Sequence, residues 1–381
     1  QKAEYDEHIR MENLFDVQQY AQKILLNSTY GFLSTPFSRF YDYDLAEAVT
    51  STGQKVIKTN EEFVNKFFTQ KFFDNPAIQK KFNINDEVDT TQTSVYIDTD
   101  SIYMSFTKVL ERLGIDPNDK EKSTKAIKSC LEPVTMKALD RFNTKHSLDV
   151  FNAKNMIFFG REIIADSTLF IEKKRYCCHV IDDEGKEVDK LKVTGMEIVR
   201  SSTPKKVKGY LKSLIEDILK TSDYSAVRKK LEEYYADFND SKPQEVAFPR
   251  SVNDIGKWLP YEDESRKVPM TTGYLKSTPI HVKAAIHFNR LLEKYELNEI
   301  EPVRGGDKIK YIHLMIAGRQ QEDVIAFKDD KIPEAFEFDG LYDYEQQWQK
   351  TMMKPLKSVF EAMDWDIPDL TSHNIEEFFV F

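Results

Sequence analysis

The sequence predicts an α+β protein, in which antiparallel strands are grouped together rather than alternated with helices. Three observations predict it. Long stretches near both ends repeat their apolar residues with the helical period. Residues 93–106 hold two short runs rich in β-branched and aromatic residues around an acidic centre, the pattern of a tight hairpin. Residues 156–199 carry successive strand-like runs with no helical pattern between them, as an α+β arrangement does.

The first element spans about residues 5–34. Leu14, Val17, Ala21, Ile24, Leu25 and Ser28 form one stripe, so the helix needs another element to cover it. Gln19, Lys23, Asn27 and Tyr30 share a second side, and Gly31 follows. That side is either a functional face or a solvated polar face ending in a glycine C-cap. A second helix starts at Asp44, with Glu47 completing a capping box. Its core face is Leu45, Val49, Thr52, Val56, Phe63 and Phe67.

In the hairpin that follows, Asp98 and Asp100 are two apart, so an extended chain sends both carboxylates to one face. Two such charges repel unless a cation sits between them, and hard oxygen ligands suit Mg²⁺. The alternative is a turn whose Asp and Thr side chains bond their own backbone. A loop at 114–119 leads to a helix over 123–144, with Ile127, Leu131, Val134, Ala138 and Phe142 inward.

Strands are expected at 156–159, 163–171, 176–181 and 191–199, with a hairpin turn at 182–185. Asp182 and Glu184 belong to that turn rather than to a carboxylate site. Cys177-Cys178-His179 lacks zinc-site spacing and reads as buried strand. A composition shift near Ser201 marks a boundary. Ser202-Thr203-Pro204 opens a helix carrying Tyr210, Leu214 and Ile218, and a second carries Val227, Leu231, Tyr234 and Phe238. Residues 249–278 are loop-rich, 282–295 helical and 308–317 a strand. A final helix at 342–363 is kinked by Pro355.

Composition narrows the function. The 381 residues are 40% hydrophobic, with 26 Phe and 18 Tyr, which suits packed domains rather than disorder. Three Cys give no disulfide framework. No apolar run is long enough to cross a membrane. The net charge of −10 argues mildly against a nucleic-acid partner, but Lys173-Lys174-Arg175 and Lys205-Lys206-Val207-Lys208 are local basic clusters.

Three motifs occur in order: Lys23 with Asn27-Ser28-Thr29-Tyr30-Gly31, then Tyr96-Ile97-Asp98-Thr99-Asp100-Ser101, then Lys173-Lys174-Arg175-Tyr176. Together they resemble the family B DNA polymerases, most closely those of T-even-like tailed phages. Arg161-Glu162, Gly195-Met196-Glu197, Asn253-Asp254-Ile255, Lys354-Pro355-Leu356 and the Phe-rich end share the likeness. The resemblance covers nearly the whole chain. It implies half of a helical fingers domain at 1–33, a palm with an antiparallel sheet and packed helices at 34–200, a mostly helical thumb at 201–370 and a clamp-binding tail at 371–381.

The resemblance also implies roles. Asp100 would ligate two Mg²⁺ ions, with Asp98 as a weaker or second ligand. Lys23 would reach the incoming dNTP, Asn27 would support that site, Tyr30 would pack against the nascent base pair and Gly31 would leave room. Lys173, Lys174, Arg175 and Tyr176 would grip primer–template DNA. Glu162 is either a third carboxylate or an ordinary strand-end glutamate. Phe378 and Phe379 form either a sliding-clamp contact or a frayed core strand.

The family's earlier palm strand, Asp-x-x-Ser-Leu-Tyr-Pro-Ser, has no counterpart here. The expectation is therefore a carboxy-terminal subunit, acting in the cytoplasm of an infected host. An amino-terminal polymerase chain with an exonuclease and the missing palm motif would complete the site. A natural split and a cut piece of a longer enzyme both give a non-Met start. The competing class is a non-catalytic DNA- and clamp-binding fragment with a vestigial acidic hairpin.

Overall fold

A computed structural model describes residues 2–258, 274, 277–316 and 322–370. It divides into two compact units, 1–161 and 162–381. The α+β expectation holds: helices accompany antiparallel sheets in both units.

The first unit begins with α1 (Lys2–Ser34) and α2 (Tyr43–Lys66), which continues through a π-helical turn, Phe67–Lys71. Then come α3 (Pro76–Lys81), the hairpin β1 (Ser94–Asp98) and β2 (Ser101–Met104), and α4 (Thr107–Arg112). The unit closes with α5 (Lys120–Ala126), a π turn at Ile127–Leu131 and α6 (Glu132–Phe151). Its core gathers Val64, Phe68, Phe72, Leu110, Leu131 and Leu139. The Phe63 ring stacks on Phe142 at 4.2 Å. Each such side chain contributes roughly 1.5–3 kcal/mol by leaving water.

Several expectations need correction. The N-cap of α2 is Asp42, whose Oδ1 accepts from the Leu45 amide at 2.9 Å, not Asp44. The buried side of α2 is Ala46, Ile57, Asn60 and Val64, while Leu45 and Val49 are exposed. The helix expected over 123–144 runs from Lys120 to Phe151. Of its expected inward residues Leu131 is fully buried, and Ile127, Val134 and Ala138 pack partly buried against the core. The fully buried row also takes in Ala126, Cys130, Thr135, Leu139 and Asn143. Residues 156–159 form no strand, and Met156 and Phe158 are exposed.

The second unit opens with a three-stranded antiparallel sheet, β3 (Ile163–Glu172), β4 (Arg175–Asp183) and β5 (Lys186–Thr194), in that order. The predicted last strand at 191–199 ends early, and Glu197–Val199 is a 3₁₀ turn. The β4–β5 turn is as expected: Glu184 and Gly185 both have positive φ, and Gly185 N–H donates to Asp182 Oδ1. Cys177, Cys178 and His179 are buried on β4, and burial pushes the Cys177 thiol up to about 12.

Next come α7 (Lys205–Thr221), with Pro204 at its N-cap, α8 (Tyr224–Asn239) and α9 (Pro243–Val246). A second antiparallel sheet joins β6 (Phe248–Ser251), β7 (Lys308–His313) and β8 (Val324–Phe327). Helix α10 (Ile280–Lys294) precedes β7. The chain then forms α11 (Tyr344–Trp348), a π turn at Gln349–Met353 and α12 (Lys354–Ala362). Pro355 lies in the first turn of α12; the missing N–H is absorbed by the widened turn before it. One core runs from Cys177 through Leu214, Phe238 and Phe327 to Trp348 and Phe360. It is continuous across the composition shift at Ser201.

Candidate active site and nucleic-acid interface

The acidic hairpin is built from the ladder outward. Tyr96 pairs with Tyr103, Ile97 with Ile102 and Asp98 with Ser101, and the two tyrosine rings lie 5.5 Å apart. Such β-branched and aromatic cross-strand pairs hold a short hairpin together. Helix α2 fixes its base. Asn65 Oδ1 accepts from the amides of Thr93 and Ser94 at 2.9 and 2.8 Å, and Ser94 Oγ donates to Glu61 at 3.2 Å.

The tip is a two-residue turn, Thr99-Asp100. Thr99 has φ +54°, a conformation that costs a β-branched residue energy. The Asp100 amide donates to the Asp98 carbonyl at 2.6 Å. Thr99 Oγ1 donates to Asp98 Oδ1 at 3.1 Å and Ser101 Oγ to Asp100 Oδ1 at 3.3 Å. Asp98 closes β1 while Asp100 sits in the turn itself, so strand alternation does not set their relative direction. Their hard oxygens are the donor type Mg²⁺ takes. Among the described residues, however, no group of three or more His, Cys, Asp or Glu is placed to hold a metal ion. The pair fits part of a ligand set.

On α1, Lys23, Asn27 and Tyr30 are exposed along one side. Helix α1 continues past Gly31 to Ser34, so Gly31 is not a C-cap. A Cβ at Gly31 would meet nothing within 4 Å. Among the described residues the apolar stripe is exposed: Leu14, Val17, Ile24 and Leu25 all face out, Val17 and Leu25 by about two thirds.

In the second unit, Lys173 and Lys174 form the two-residue tip of the β3–β4 hairpin, whose last register pair is Glu172 with Arg175. Both lysines are exposed, and Lys174 has φ +63°. Arg175 and Tyr176 turn inward instead. Arg175 donates to Glu172 and Glu197, each at 3.2 Å, and to Ser358 Oγ at 3.3 Å. Tyr176 is buried beside Phe170. Sequence reasoning missed Arg175's partners and the role of Gly195, which has φ +68°. A Cβ there would lie 2.0 Å from the Lys174 carbonyl oxygen. A glycine directly after a strand was the available signal.

Glu162 is exposed, with its carboxylate 3.5 Å from Lys192, and its carbonyl accepts from the Glu184 amide at 2.6 Å. Phe378 and Phe379 lie outside the described residues. Among the described residues, no helix is long and apolar enough to cross a membrane.

The acidic hairpin and the polar face of α1 both belong to the first unit. Residues 2–114 match the model of DNA polymerase family B, a span that contains both the α1 face and the hairpin. The chain is similar to the DNA-directed DNA polymerase of Enterobacteria phage T4, 26% identical over 377 residues, covering 94% of this chain and 38% of the relative. It is similar to the DNA-directed DNA polymerase of Escherichia phage RB69, 28% identical over 372 residues, covering 91% and 37%. The DNA polymerase of Thermococcus gorgonarius is 26% identical over 364 residues, covering 94% and 36%. The chain therefore spans little more than a third of the length of these relatives.

Proposed function

We propose that this chain is the carboxy-terminal part of a replicative, family B DNA-directed DNA polymerase, extending a primer 3′-OH by two-metal nucleotidyl transfer. The carrying observation is the strained Thr99 turn presenting Asp98 and Asp100 inside the segment that matches the family. On this reading residues 1–33 are fingers, 34–200 palm, 201–370 thumb and 371–381 a tail for a sliding clamp through Phe378 and Phe379. Its setting is the cytoplasm of a phage-infected cell.

Asp100 and Asp98 would hold two Mg²⁺ ions, which supply Lewis-acid stabilisation of charge on the transferring phosphoryl group. Lys23 offers a flexible cation to the triphosphate, Asn27 a hydrogen bond, and Tyr30 a ring for the nascent base pair beside Gly31. Lys173 and Lys174 bind DNA phosphates. Such contacts are independent of sequence and sensitive to salt. Arg175 and Tyr176 act from within the hairpin.

The remaining acidic ligand comes from a segment outside residues 1–381, one that carries the first palm strand. The exposed stripe of α1 supports this, because an exposed apolar face of that length is interface-like. An obligate interface there would bury more than ~2,000 Å². The test is primer extension with Mg²⁺ and dNTPs, by this chain alone and with a polypeptide carrying the missing strand. Extension only in the mixture is expected. Robust synthesis by this chain alone would refute the shared site.

A further inference from the structure

We propose that Arg175 and Glu197 are positioning residues that aim the Lys173–Lys174 tip at duplex DNA, and that neither binds the DNA itself. This rests on the reading that the hairpin grips primer–template. Both terminal nitrogens of Arg175 are already committed. Nη1 donates to Glu172 within the hairpin, and Nη2 reaches Glu197 beyond β5 and Ser358 on α12. Its side chain is only 25% exposed. A fork of this kind is rigid because its donors are coplanar.

Glu197 is fixed in turn. Its second oxygen lies 3.4 Å from Arg200, and its carbonyl accepts from Thr203 Oγ1 at 2.7 Å. From the other side, Gly195 sits so close that the Lys174 carbonyl has no room to move toward it. The hairpin tip is therefore clamped at Arg175 and abutted at Lys174. Two exposed lysines on an unclamped two-residue turn would sample many directions, and ordering them on phosphates would cost affinity.

This predicts a sign opposite to simple electrostatics. If Arg175 were a phosphate ligand, Glu197→Gln would remove a competing carboxylate, release Arg175 and tighten DNA binding. If it is a clamp, Glu197→Gln weakens binding although a negative charge has been removed. Arg175→Lys separates the two in the same way: it keeps the charge but cannot bridge three acceptors.

The experiment uses the full chain and a primer–template duplex, with the dissociation constant followed across a salt series. Hydrogen exchange of the 172–176 amides is measured in parallel, and melting temperature checks the fold. Both variants are expected to exchange faster at the tip. They should bind roughly 3–10-fold more weakly, with the salt slope reduced by about one. Unchanged exchange in both variants, or tighter binding by Glu197→Gln, overturns the proposal. The double variant Lys173→Ala/Lys174→Ala is the control for the underlying reading. If it binds DNA as the wild type does, or the wild type binds no duplex, the DNA-gripping assignment falls and the positioning role falls with it. That failure is told apart from a failed clamp because the exchange result is independent of DNA.

Discussion

The amide of Asp100 donates to the carbonyl of Asp98 across a single residue, at 2.6 Å. Closing the chain this tightly sets Thr99 in left-handed backbone, between the two aspartates.

Substitutions at Thr99 test that link. A left-handed conformation costs an L-residue roughly 1–2 kcal/mol, and glycine gives back about 0.5–1 in chain entropy. Thr99→Gly loses the Oγ1 bond to Asp98 but relieves the strain, so it should stay within about 1 kcal/mol of wild type, measured by urea unfolding. Thr99→Val keeps the strained branch and loses the Oγ1 bond to Asp98, so it should cost about 1 kcal/mol. Equal stability of the two variants would mean that the turn is not strained.

Gly195→Ala should destabilise the second unit by about 1–3 kcal/mol. The new methyl meets the Lys174 carbonyl, and φ is +68°. Thermal unfolding measures the loss, and DNA affinity should fall with it. A variant that melts and binds like the wild type would show that the hairpin tip does not need this approach.

His179 makes stability depend on pH. Its Nδ1 lies 2.7 Å from Asp166 and its Nε2 2.6 Å from Asp189, which also meets Lys220 at 3.3 Å. Carboxylates only accept, so both ring nitrogens donate and the imidazole is charged. Burial alone lowers its pKa, but the bonds to Asp189 and Asp166 outweigh burial and hold it above the ordinary 6.5. Because the folded value is raised, this contribution is complete below 6.5 and lost as pH rises through the folded value. Wild type should exceed His179→Gln in urea midpoint at about pH 6 by more than at about pH 9. A gap that stays constant with pH would mean the ring is neutral.

Much of the fold was legible because period and burial agreed. On α7 and α8 the spacing of Leu214, Ile218, Val227 and Leu231 marked side chains that are buried. Where a π turn intervenes at Ile127–Leu131, an extra residue per turn displaces the fully buried row by one, and a fixed 3.6 period misses part of it. Strand β6 was hidden by Pro249. It pairs only with β7, at the edge of its sheet, one of the few strand positions that tolerate proline. Residues 156–159 had a strand's composition, but strands need a partner ladder that composition cannot reveal. At the site, residue types exposed the acidic pair and the basic hairpin. That Arg175 turns toward Glu197 and Ser358 depends on contacts 22 and 183 residues away, beyond any local pattern.

The central claim is that the Asp98–Asp100 turn is a catalytic metal cradle. Its most direct test is single-turnover dNTP incorporation by the assembled enzyme carrying Asp100→Asn, with primer–template affinity measured alongside. Incorporation should fall by at least ~10²-fold, the scale for removing one preorganised electrostatic group, while DNA affinity stays within about twofold. Incorporation at the wild-type rate would contradict the claim.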